Sequence, residues 1–216
     1  MDATSDAGDC DVRARQRTWV IGGALLLMSA LLVVLRMLLF RAGIIGSMPD
    51  WTYYVKDWLW AIGVLILVIG LGRAGSITGR RPISTLVVIL QVFVAAPVAA
   101  TWLSTLVLDD PQNPYAQEDS WSAIFLPYFL VVGVLTLLAA TLIGRARAVP
   151  SPWSWAPLWA VGATFAFYAA TFTAAPAFGG FTVVYLPVIS TALLGVLAIV
   201  LGIRARTRRP VPVSDA

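Results

Sequence analysis

Six runs of predominantly apolar residues dominate this chain: 19–40, 52–72, 83–108, 121–144, 153–175 and 181–203. A helix needs about 20 such residues to cross a hydrocarbon core about 30 Å thick. Each run is continuously apolar, whereas the strands of a membrane barrel alternate polar and apolar positions over about 10 residues. The runs therefore predict an all-α, polytopic integral membrane protein, a bundle of six transmembrane helices. Composition agrees: 59% of the 216 residues are hydrophobic and 12% charged, against about 25% charged in an average soluble domain. A water-soluble globule and a disordered chain are both excluded. A polar tail 1–18 and a basic tail 204–216 flank the spans, and the short loops leave no room for a folded soluble domain. No small-residue cleavage site follows the first run, so it is expected to be a retained helix and not a removed signal peptide.

Basic residues set the orientation. With the amino terminus in the cytoplasm, Arg13, Arg15, Arg17, Arg73, Arg80, Arg81, Arg145, Arg147, Arg204, Arg206, Arg208 and Arg209 fall inside. Only Arg36, Arg41 and Lys56 fall outside or at the outer interface. Both termini are thus expected in the cytoplasm of a cell-membrane protein. The basic isoelectric point near 9.6 comes from arginines scattered over short loops, not clustered on one folded face. Anionic lipid headgroups are the expected partner and nucleic acid is not. Arginine in place of lysine, with abundant alanine and valine, suggests a GC-rich bacterial genome.

What is missing narrows the chemistry. The chain has no histidine, which removes the usual general base, haem ligand and zinc ligand together. Cys10 is the single cysteine, so no thiol site, iron–sulfur cluster or internal disulfide is expected. Neither a P-loop nor a TVGYG-like filter occurs. The outer loop 109–120 gathers Asp109, Asp110, Glu118 and Asp119, but their spacing matches no EF-hand, and a solvated acidic loop is the simpler account. No metal, cofactor or catalytic residue is predicted.

Three features inside the spans invite a functional account. Arg36 and Asp57 lie at matching depths if the first hairpin turns near Gly46, predicting an ion pair that fastens the hairpin or faces an outward path. Trp102, Tyr128, Tyr168 and Tyr185, with Pro127 and Pro187, form a belt five to eight residues below the outer surface. Pro97 and Gln91 extend that line inward. Proline frees a backbone carbonyl, and such breaks are tolerated where they are buried or line a cavity. Helix kinks are expected at Pro97, Pro127 and Pro187, and a solute pocket at Gln91, Trp102, Tyr128, Tyr168 and Tyr185. Ordinary interfacial aromatics are the alternative.

Phe125-Leu126-Pro127 ahead of Arg145-Ala146-Arg147 is echoed by Tyr185-Leu186-Pro187 ahead of Arg204-Ala205-Arg206. The echo leaves open a parallel duplicated hairpin or coincidence in low-diversity sequence. Packing is expected through small residues such as Gly22, Gly23, Ala99 and Ala166. The architecture, though no motif, is similar to the membrane subunits of some multi-component transporters. The expected function is a permease-type or substrate-binding membrane subunit for a small lipophilic solute. Its Arg145 and Arg204 loops would dock a cytoplasmic ATPase, or its helices other membrane subunits. The alternatives are an accessory, assembly or immunity protein acting through helix contacts, and a membrane-embedded lipid-modifying enzyme using Asp57 or the outer carboxylates.

Overall fold

A computed structural model describes residues 3–43, 51–71, 75–107, 116–174 and 179–207. Among these the chain is all-helical, with no strand. The helices are α1 (Ala3–Arg41), α2 (Trp51–Ile69), α3 (Pro82–Ala95), α4 (Pro97–Ser104), α5 (Ala116–Ala146), α6 (Ala156–Ala174) and α7 (Gly179–Thr207). A 3-10 turn, Trp153–Trp155, leads into α6.

By length and hydropathy three helical segments suit a membrane crossing: Asp11–Arg41, Gln117–Ala146 and Pro187–Ala205. The bent pair α3 and α4 makes a fourth. Of the six expected spans, three or four are candidates by length and hydropathy among the described residues. Helices α2 and α6 occupy the second and fifth expected runs at 19 residues each. At 1.5 Å per residue each is about 28 Å long, just short of an average hydrocarbon core. The three long segments bury between 11% and 22% of their most apolar windows inside the protein. Side chains such as Leu38, Leu126 and Leu193 stand largely exposed. So much continuous apolar surface suits a membrane protein, whose outward side chains meet lipid.

Each helix packs on its neighbour in the chain: α1 on α2, α2 on α3, α3 on α5, α5 on α6 and α6 on α7. The most extensive contact of all is between α7 and α1, which closes the series into a ring. Glycines make that closure possible. A Cβ on Gly23 would stand 2.6 Å from the Gly195 carbonyl oxygen, and one on Gly195 would stand 2.9 Å from that of Gly23. Two backbones meet there with nothing between them, as small-residue packing of apolar helices requires. Gly22 lies under Leu67 and beside Gly63 on the α2 side. Ala166, expected at such a contact, is exposed instead.

The third expected run is broken where proline dictates. Pro97 has no amide hydrogen and drives its predecessor out of helical geometry. Ala96 is extended, φ −64° and ψ 148°, and the two halves bend by 44°. Pro127 and Pro187, by contrast, lie inside α5 and α7 as continuous helices.

Candidate functional site

The ring surrounds a partly open cavity of about 200 Å³. All six of its members contribute: Trp19 and Leu26 from α1, Trp60 and Leu67 from α2, Val88 and Gln91 from α3, Thr136 and Ala140 from α5, Pro157 and Val161 from α6, and Thr191 and Leu197 from α7. Ile77, Val149, Trp153 and Ser154, from the α2–α3 and α5–α6 connections, complete the lining at one end. Among the described residues, none of the lining side chains is ionisable.

That end is tied shut by polar contacts running from α1 to both connections. Arg15 Nη2 donates to the Ala148 carbonyl at 2.6 Å, and its guanidinium lies 4.6 Å from the centre of the Trp19 ring. The indole Nε1 of Trp19 donates to the Gly75 carbonyl at 2.9 Å. Thr18 Oγ1 donates back to Ala14 and accepts from the Leu71 amide. Gly75 leaves room for this crossing: a Cβ there would stand 2.5 Å from Thr18 Oγ1 and force that side chain to shift.

The α2–α3 connection also caps the helix it leaves. Carbonyls of a last helical turn lack amide partners; here the Ile77 amide reaches Leu67 and the Ser76 hydroxyl reaches Val68. Thr78, wholly buried, joins Ser76 to Thr85 through hydroxyl contacts of 2.8 Å each.

Within the cavity, two polar side chains have bonding capacity to spare. Gln91 is 7% exposed, and its one hydrogen bond among the described residues is a long donation, 3.4 Å, to Thr136 Oγ1. Its amide oxygen and second amide hydrogen have no partner there. Ser154 is 3% exposed and its hydroxyl makes no hydrogen bond among the described residues. Thr136 and Thr191 spend their protons on the carbonyls of Val132 and Pro187.

The residues singled out from the sequence are distributed differently from the expected belt. Gln91 lines the cavity. Trp102 is 63% exposed and faces outward from α4. Tyr128 donates to the Val94 carbonyl at 3.0 Å, one of the acceptors orphaned where Pro97 ends α3. Its hydroxyl braces the break. Around it Trp121, Phe125 and Phe129 form an aromatic stripe along α5, with Trp121 and Phe125 stacked at 4.9 Å. The side chains of Pro97, Tyr168 and Tyr185 lie outside the described residues, as do Asp109 and Asp110 of the acidic loop.

The Arg36–Asp57 pair gives way to another. Asp57 is bridged by its neighbour Lys56 at 2.5 Å. The register of the hairpin explains this: Gly22 meets Gly63 and Ser29 donates to the Lys56 carbonyl. Asp57 thus comes level with Met28, leaving Arg36 about 12 Å farther along the helix.

Trp60, Trp153, Ser154 and Thr136 were not anticipated as lining, and Arg15 was read only as a topology signal. The available hint was a run of hydroxyls and indoles at the arginine-rich ends of the spans, opposite the belt. No protein-family model, curated protein or solved structure matches the chain.

Proposed function

We propose that this chain is a permease-type or substrate-binding membrane subunit for a small lipophilic solute. One observation carries the proposal: the helices close into a ring around a partly open cavity that every member of the ring helps to line, with no charged group among the described lining residues. An assembly needing only lipid anchorage or helix contacts has no use for such a space, whereas a solute carrier requires one. A cavity tied shut at one end also suits a carrier that opens its ends in turn.

In this proposal the six apolar runs all cross the cell membrane of a bacterium, with both termini in the cytoplasm. The Arg15 end then faces inward, and arginines of the α2–α3 and α5–α6 connections meet anionic headgroups. Exposed Arg145 and Arg147 offer a cytoplasmic ATPase or another subunit a place to dock. Reconstitution in proteoliposomes with a panel of radiolabelled small lipophilic solutes tests the proposal. Counterflow dependent on the chain supports it; leakage equal to that of empty vesicles for every solute refutes autonomous transport.

A second reading, a non-catalytic accessory subunit acting through its helices, draws on the sparse burial of the long apolar segments. Mild-detergent purification from the native host with mass spectrometry separates the two. A stoichiometric ATPase supports the transport subunit, and a stoichiometric membrane protein of other function supports the accessory.

A further inference from the structure

We infer that the cavity takes a neutral, compact, largely apolar molecule carrying one hydroxyl or carbonyl group, with Gln91 as its polar anchor. The inference deepens the solute-binding proposal and rests on it for the idea that the cavity is a site.

Three observations set the chemical class. Size comes first: about 200 Å³ lies between an apolar cavity of about 150 Å³ that holds benzene and pockets of about 300–1,000 Å³ that hold drug-sized ligands. A single ring with a short substituent fits such a space. Charge comes second. Among the described residues no ionisable side chain lines the cavity, and an ion placed there without a partner suffers a desolvation cost that nothing repays. An amine or carboxylate that entered would shed its charge first.

Gln91 comes third. A primary amide has two donors and an acceptor with two lone pairs, and burying them unpaired is unfavourable. Here the residue is 7% exposed and lines the cavity, and its amide spends one hydrogen on a 3.4 Å contact. The remaining hydrogen and the oxygen suit a ligand carbonyl and a ligand hydroxyl respectively. Ser154 supplies a second hydroxyl without a partner among the described residues elsewhere on the lining. Trp19, Trp60 and Trp153 give the aromatic walls.

The test uses the full chain in phosphatidylcholine nanodiscs, with empty nanodiscs subtracted, and three fluorinated probes of similar size read by 19F NMR. 4-Fluorophenol is expected to bind saturably, fluorobenzene more weakly, and 4-fluorobenzoate at neutral pH not at all. Gln91→Leu, which keeps the side-chain bulk, is expected to weaken 4-fluorophenol about tenfold, as for one lost buried hydrogen bond. The same change leaves fluorobenzene unaltered or tighter, which also reports that the variant is folded. Ser154→Ala is a milder companion with an expected loss of a few-fold. Equal affinity of 4-fluorophenol for wild type and Gln91→Leu overturns the anchor. Saturable benzoate binding overturns the neutral class, and no saturable binding of any probe overturns the site. Vesicle flux is read separately: a chain that binds 4-fluorophenol without moving it retains this inference and loses the permease.

Discussion

Arg15 on α1 donates 2.6 Å to the carbonyl of Ala148, so a residue ahead of the first apolar run holds the connection between α5 and α6. The same guanidinium stacks on Trp19, while its Nε is buried without a partner among the described residues. A charged hydrogen bond is worth about 1.5–3 kcal/mol and an exposed cation–π contact about 0.5–1 kcal/mol; the orphaned Nε offsets part of both. Arg15→Ala is expected to cost about 1–2 kcal/mol in thermal unfolding. It should also quicken maleimide labelling of a Val149→Cys variant in a Cys10→Ser background. Unchanged labelling means that the contact does not close that end.

Trp19 tests the same closure from its other side. Trp19→Phe keeps the ring against Leu26 and Leu67 but removes the Nε1 hydrogen that reaches Gly75. A buried carbonyl left without its donor costs about 1–3 kcal/mol, so the variant should melt lower by that amount. A variant as stable as the parent shows that the Gly75 carbonyl finds another donor.

Much of the fold was legible in the sequence because its determinants are local. Every described helix overlaps an apolar run, although α1 already begins at Ala3 in the polar tail, and the break at Ala96 follows from what proline does to its own amide and its predecessor. Gln91 stood out as an amide in an apolar segment. The register of the first hairpin was not legible, since it depends on which small residues meet, Gly22 and Gly63, and not on a symmetrical turn at Gly46. Nor was the cavity's position. It depends on α7 returning to α1, a contact between the two ends of the chain, and on connections whose backbones only the folded ring brings together. Nor was the hydrogen bond of Tyr128 legible: its hydroxyl serves a carbonyl that the Pro97 break releases on another helix.

The cavity predicts how binding responds to pH. With no histidine in the chain and no ionisable side chain on the lining among the described residues, no proton is expected to be taken up or released at the site between about pH 5.5 and 7.5. Proton linkage with zero difference between free and bound states has zero slope. The affinity for 4-fluorophenol is therefore expected to be flat across that window. A change of tenfold or more would place a titrating group in contact with the ligand.

The glycine contact between α1 and α7 sets the sharpest contrast. Gly23→Ala places a methyl 2.6 Å from the Gly195 carbonyl oxygen, and Gly195→Ala places one 2.9 Å from that of Gly23. Both obstacles are backbone, so neither can rotate away and the helices must separate. Overpacking of this kind costs about 1–3 kcal/mol, and here it acts on the seam that closes the ring. Gly162→Ala on α6 meets nothing within 4 Å and gains about 1 kcal/mol of helix propensity. Thermal unfolding in detergent should therefore lower the midpoint for the first two variants and hold or raise it for the third. If ring closure is what bounds the cavity, Gly195→Ala should also weaken 4-fluorophenol binding, although residue 195 does not line the site. Equal stability of all three variants would mean that α1 and α7 do not approach through these glycines, and the ring around the cavity would lose its physical basis.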